Sequence, residues 1–152
     1  MFAPLRIRVP AAIACAMLVV ALSPVAAQTA GPGLAPIVPQ TPGFTSKPVL
    51  VAPITGVEGK ELVLISVTLA PGASSPAHTH PGDCYGTVLE GTMELRVAGQ
   101  EPRRLTAGES YSTLANPVHQ FTNVGDTPVR LLNALVVEKG KPRTVPQSEP
   151  VK

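Results

Sequence analysis

The chain has 152 residues, which is enough for one domain of ordinary size. Its 3% aromatic and 14% charged residues, with 13 glycines and 18 prolines, exclude coiled coils, collagen and long exposed helices and favour an all-β domain rich in turns. Arg6 and Arg8 account for the formal net charge of +2, because the remaining basic residues equal the 10 acidic residues in number. This balance excludes the basic surface of a nucleic-acid binder.

Residues 1–27 are predicted to be a removable export signal. A positively charged start precedes an apolar run, residues 11–22, that is too short to span a bilayer, and small residues come before Gln28. An uncleaved membrane anchor is the alternative. The signal predicts a periplasmic or secreted protein that has no membrane contact after cleavage, and Cys84 is then the one cysteine that remains.

Two segments rich in proline flank the predicted core. Residues 28–48 have the composition of a linker or arm, and residues 139–152 that of an extended tail. The core is therefore predicted to comprise residues 49–138.

Within this core the hydrophobic period is two, as in β-strands. Val63, Ile65, Val67 and Leu69 share one face of a strand predicted at 62–69. Further short strands, separated by glycine-containing turns, are predicted at 85–89, 92–97, 103–106, 110–114, 118–123 and 129–137. Many short strands of this kind predict a sandwich or a closed barrel.

The chain has three histidines, His78, His80 and His119. Residues two apart on a strand project to the same face, so His78 and His80 can both reach one ion. His119 begins an apolar strand that antiparallel packing can bring opposite this pair. The histidines are thus candidate metal ligands. The alternative is that they are ordinary buried histidines of a barrel without a working metal site.

Two sequence patterns surround these histidines. The first, from Gly72 to Gly91, is G-x5-H-x-H-x3-C-x6-G, and the second, from Gly108 to Asn123, is G-x5-L-x-N-x2-H-x3-N. Both resemble the two motifs of the cupin family, G-x5-H-x-H-x3-4-E-x6-G and G-x5-P-x-G-x2-H-x3-N. The resemblance covers residues 60–138. It implies a small single-domain cupin with a double-stranded β-helix, also called a jelly-roll barrel, that forms a homodimer.

By this resemblance, His78, His80 and His119 are metal ligands and Cys84 occupies the fourth ligand position, where the family has glutamate. The ligand set suits a divalent transition metal, namely iron, manganese, nickel, copper or zinc, without choosing among them. The second motif departs from the family too, because residues 114–116 are Leu-Ala-Asn in place of P-x-G.

Three roles stay open for Cys84. As a thiolate ligand it would favour zinc or copper. As an unbound thiol beside the metal it would resemble the thiol dioxygenases, in which a cysteine bonds to a tyrosine, and Tyr85 and Tyr111 are the tyrosines of this chain. As a small buried side chain it would only pack. Asp83 is an alternative carboxylate ligand, but it is expected on the rim or in a turn.

The sequence contains neither a Ser-His-Asp or Cys-His set for nucleophilic catalysis nor a glycine loop for phosphates. Two functions therefore stay open. One is a metal-dependent enzyme, either dioxygenase-like or an isomerase or lyase, that acts on a small molecule. The other is a non-catalytic module that binds or senses a metal or small ligand and has a vestigial active site.

Overall fold

The structure, a computed structural model, describes residues 38–149 and residue 151. The export signal predicted at 1–27 lies outside the described residues, as does the first part of the predicted arm. In the described part of the chain, no helix is long and apolar enough to cross a membrane.

Ten strands account for the regular structure of the described residues. They are β1 (Phe44–Pro53), β2 (Lys60–Leu69), β3 (His78–Thr79), β4 (Cys84–Glu90), β5 (Thr92–Val97), β6 (Arg103–Thr106), β7 (Ser110–Thr113), β8 (His119–Asn123), β9 (Val129–Glu138) and β10 (Val145–Pro146).

The strands form two five-stranded sheets in which all pairings are antiparallel. Sheet 1 has the order β1-β2-β9-β4-β7, and sheet 2 has the order β10-β3-β8-β5-β6. Buried side chains from both sheets form one hydrophobic cluster. The fold is thus all-β and has the double-stranded β-helix architecture, as the sequence predicted.

Strand β2 shows why the period of two was a sound guide to the core. Val63, Ile65, Val67 and Leu69 are all buried, whereas the residues between them are partly exposed. Full burial of a side chain of this size stabilises a fold by roughly 1.5–3 kcal/mol, so one inward-facing row fixes which side of the strand meets the core. A shift of the register by one residue would turn this row to the solvent.

The first strand was not predicted from the sequence. β1 starts at Phe44, inside the segment that was interpreted as an arm, and it turns Phe44 and Ser46 inward. Proline is compatible with this strand because β1 lies at the edge of sheet 1, where an N–H that faces away from β2 makes no ladder bond. The pairing with β2 shifts between Pro48 and Leu50, which leaves Val49 as a bulge.

The C-terminal segment, which was predicted to be an extended tail, packs against the barrel at residues 145–147. Val145 and Pro146 pair with β3, and the backbone N–H of Gln147 donates to the carbonyl of Ala77 at 2.9 Å. Val151 is buried. The prolines of the C-terminal segment suit an extended edge strand as well as a free tail. Composition alone therefore did not distinguish a packed segment from a free one.

Candidate metal centre

The three histidines converge inside the barrel at one end of sheet 2. His78 lies on β3, His80 directly follows this strand, and His119 is the first residue of β8. His78 and His119 are direct partners in the antiparallel register, which places their rings 4.3 Å apart between centroids. The ring of His80 is 4.9 Å from His78 and 5.0 Å from His119. Each histidine offers a ligand atom within 4.8 Å of the others.

Backbone carbonyls fix the orientation of all three rings. Nδ1 of His78 lies 2.8 Å from the Pro76 carbonyl, and Nδ1 of His119 lies 3.1 Å from the Pro117 carbonyl. Nδ1 of His80 lies 2.8 Å from the carbonyl of a residue in the C-terminal segment. A carbonyl oxygen only accepts hydrogen bonds, so each Nδ1 carries the proton and each Nε2 keeps a lone pair. This arrangement orients a histidine as a metal ligand.

Burial keeps these imidazoles neutral. It lowers the pKa of His78, and burial together with the neighbouring histidine lowers the pKa of His80 to about 4 and that of His119 to about 3. A metal ion binds neutral imidazole, so the cluster is in its ligating form at neutral pH without first losing a proton.

Nε2 of His119 indicates that the cluster fits a metal ion. This atom is buried and has no hydrogen-bond partner among the described residues. Leaving such an atom unsatisfied costs about 1–3 kcal/mol, and a bound cation would remove that cost. Three imidazole ligands suit a divalent transition metal and leave coordination positions open for other ligands.

Cys84 does not join the histidines. Among the described residues, the group of converging ligand atoms consists of the three histidines. Cys84 begins β4 in sheet 1, where it pairs with Thr113 and Leu135 and is fully buried. Burial raises the pKa of its thiol to about 12, which keeps it protonated. The structure therefore places Cys84 on the opposite sheet and outside the group of converging histidine atoms, and its role as a fourth ligand stays a prediction.

The two tyrosines that were considered as bonding partners of Cys84 lie on opposite faces of sheet 1. Tyr85 is 50% exposed and faces outward, whereas Tyr111 is buried. Tyr111 donates a hydrogen bond of 2.8 Å to Oδ1 of Asn133. Asp83 lies in the turn, as expected, and its Oδ1 accepts a hydrogen bond of 2.9 Å from the Ala115 N–H.

A cavity of about 10 Å³ adjoins His78 and His80. This volume is about the room that one water molecule needs. Its lining is mainly apolar with a few polar groups, consisting of Val38, Phe44, Ser46, Ile65, Val67, His78, His80, Phe121 and Asn133. Ser46 and Asn133 were not identified from the sequence. The available signal for Asn133 was a polar residue at a buried position in the apolar strand β9.

A buried pair fixes the side chain of Asn133. The Tyr111 hydroxyl donates to Oδ1 of Asn133, a residue that lines the cavity. Gly86 makes the room for this pair, because a Cβ at that position would overlap the Tyr111 ring and the Asn133 amide. A side-chain amide of fixed orientation thus borders the cavity.

A family model described as a cupin domain matches residues 65–138. The chain belongs to the cupin family. This match includes all three histidines and ends at the last residue of β9.

Known proteins similar to this cupin include a regulator and an enzyme. The transcriptional regulator PuuR of Escherichia coli K12 is 34% identical over 80 residues, which are 52% of this chain and 43% of the regulator, so the chain matches less than half of its length. A solved oxalate oxidase in complex with the substrate analogue glycolate is 26% identical, with a TM-score of 0.57 over 69% of this chain and 56% of that chain. A double-stranded β-helix protein from Klebsiella pneumoniae is 21% identical, with a TM-score of 0.57 over 74% of this chain and 92% of that chain, and shows the shared fold.

The departure of this cupin from the second family motif has a backbone explanation. Asn116 stands where the motif has glycine, and its φ of 82° lies in the left-handed region. Asparagine adopts this conformation more readily than other residues with a side chain, so it can replace glycine here. Its N–H donates to the His80 carbonyl at 2.8 Å. The turn that the motif encodes is thus kept and holds the backbone of a candidate ligand.

Proposed function

We propose that this cupin is an exported, metal-dependent enzyme that acts on a small oxygen-containing molecule. One divalent transition-metal ion is bound by His78, His80 and His119. The observation that carries the proposal is the buried, unpartnered Nε2 of His119, in a cluster whose three Nδ1 atoms are all committed to backbone carbonyls.

When bound, a divalent ion supplies Lewis-acid polarisation of a coordinated oxygen. The chain supplies the remaining parts of the site. The imidazoles hold the ion without adding negative charge, and Phe121 and Ile65 keep the cavity wall apolar. Asn133 offers its amide N–H to an oxygen of the ligand. These features support a carbonyl, carboxylate or hydroxyl compound as the substrate class.

One further observation supports this substrate class. The similar oxalate oxidase was solved with glycolate, a small hydroxy acid. Export is proposed from the sequence of residues 1–27, and a homodimer from the family resemblance; size-exclusion chromatography with light scattering tests the dimer. Nucleic acid has no place in the proposal because the chain after residue 27 is formally neutral.

The first test is the metal content of protein purified from its export compartment without affinity-tag metals. Mass spectrometry is expected to find about one equivalent of a transition metal. His78→Ala and His119→Ala are expected to lose it while the barrel stays folded. Thr79→Ala is the matched control, because Thr79 lies between two ligands but on the other side of the strand. Equal metal content in the histidine variants and the control would refute the ligand assignment.

A ligand sensor is the second candidate, and the similarity to the regulator PuuR favours it. A sensor and an enzyme share the metal and the cavity but differ in turnover. The metal-loaded protein is mixed with small hydroxy and keto acids while product formation and the unfolding temperature are followed. Stabilisation by a compound that stays unchanged supports the sensor, whereas its conversion supports the enzyme.

A further inference from the structure

The C-terminal strap, defined here as residues 143–147, lies across the end of the barrel that contains the histidines. Val145 pairs with Thr79 and Pro146 with His78, so the strap adds a strand to the edge of sheet 2. A cleft of about 300 Å³, lined in part by Pro81 and Pro142, adjoins the strap. Because the cleft leaves one side of the strap without packing, the position of the strap depends mainly on the contacts that residues 143–147 make themselves.

His80 depends on the strap in a way that the other two histidines do not. The Nδ1 atoms of His78 and His119 bond carbonyls only two residues before them in the chain. The Nδ1 atom of His80 bonds the carbonyl of Arg143, which is 63 residues away, at 2.8 Å. The hydroxyl of Thr144 lies 3.2 Å from the same nitrogen. The ring of His80 is thus oriented by the C-terminal segment.

An ion pair holds Arg143 in this place. Its Nε and Nη2 donate to Oε1 of Glu61 at 3.1 and 2.8 Å. The side chains of Glu61 and Arg143 are only 10% and 24% exposed, so water screens this pair much less than a surface pair. Glu61 lies on β2 of sheet 1, whereas the strap belongs to sheet 2. The ion pair therefore ties the two sheets together beside the candidate metal ligands.

We propose that Arg143 is a positioning residue of the metal centre. Its ion pair with Glu61 keeps its carbonyl against Nδ1 of His80, and this contact selects the tautomer and direction in which Nε2 of His80 faces the other ligands. The inference rests on the proposed function, because it assigns a residue to the same metal site. Loss of a group that orients a histidine ligand typically weakens metal binding by about 10–100-fold.

The test compares Arg143→Ala and Glu61→Gln with the full chain, using Co²⁺ as the probe. Both variants are expected to bind Co²⁺ about 10–100-fold more weakly and to show a changed visible absorption spectrum. Arg143→Lys keeps the charge facing Glu61 and is expected to recover part of the affinity. If Arg143→Ala does not fold, the other two variants carry the comparison. Arg130→Ala is the matched control, because its partner Glu90 lies 3.1 Å away in an exposed pair.

A second measurement needs no metal. The ¹⁵N chemical shifts of the imidazole nitrogens report the tautomer of each histidine in chelator-treated protein. His80 is expected to carry its proton on Nδ1 in the full chain and to become a tautomer mixture in Glu61→Gln, with His119 unchanged. Folded variants that keep both the tautomer and the Co²⁺ affinity would overturn the positioning role. If the variants show the tautomer change but the full chain binds no Co²⁺, the result would support positioning and refute the proposed function.

Discussion

Acid is expected to destabilise the chelator-treated protein through its buried histidines. Burial and the neighbouring imidazole lower the pKa of His80 to about 4 and that of His119 to about 3. An unfolded chain has the ordinary value of about 6.5, so it binds more protons than the folded protein at a pH between these values. These histidines therefore leave the free energy of unfolding at its full value above pH 6.5. The free energy of unfolding falls progressively as the pH falls toward 4 and 3.

The size of the effect follows from these pKa values. Each histidine that is neutral when folded and protonated when unfolded costs about 1.4 kcal/mol per pH unit below 6.5. Between pH 6.5 and 5 this amounts to about 2 kcal/mol for each of His80 and His119, or about 4 kcal/mol together. A domain of this size has a total stability of about 5–15 kcal/mol, so the loss is a large part of it. The chain has three histidines, and all belong to the cluster.

Urea unfolding at pH 7, 6.5, 6, 5.5 and 5 measures this slope directly. The double replacement His80→Gln and His119→Gln is expected to flatten the profile, because glutamine does not titrate. Carboxyl groups titrate mainly below this range, so they contribute little to the slope. A free energy of unfolding that changes by less than about 1 kcal/mol between pH 7 and 5 would refute the argument from buried neutral imidazoles.

Two other experiments test sheet 1. Gly86→Ala is expected to lower the free energy of unfolding by about 1–3 kcal/mol, because the added Cβ would overlap Tyr111. Gly125→Ala is the control, because its Cβ would meet only ordinary contacts, and equal unfolding midpoints of the two variants would contradict the overlap. The Cys84 thiol is expected to resist alkylation at pH 8 in the folded protein and to react in urea, because it is fully buried with a pKa of about 12. Peptide mapping by mass spectrometry checks this, and fast native labelling would show that the thiol is accessible.

Local patterns determined much of the fold in advance. The strands at 92–97 and 103–106 have the predicted bounds, because glycine turns delimit runs that alternate with a period of two. The spacing of His78 and His80 also predicted their shared direction. By contrast, β3 has only two residues and β10 contains a proline, so neither carries a periodic signal. Such strands are defined by their pairing with a neighbouring strand rather than by a sequence pattern of their own.

The parts of the candidate site that the sequence did not reveal depend on contacts between distant segments. Arg143 reaches His80 and Glu61 only after the two sheets have packed, and no spacing rule connects these positions. Cys84 matched the family motif by its position, but its side chain lies in the other sheet, away from the converging ligand atoms. Asn133 belongs to the lining of the cavity because of the register between β4 and β9.

The first strand also bears on how the protein behaves when it is concentrated. β1 is an outer strand of sheet 1, and an outer strand with free backbone groups is a template on which another chain can add. Here Pro48 lacks an N–H, Val49 bulges out of the ladder, and Lys47 places a charge on the exposed side. Each of these features discourages open-ended strand addition. The irregularity of β1 thus protects the protein against aggregation through this edge.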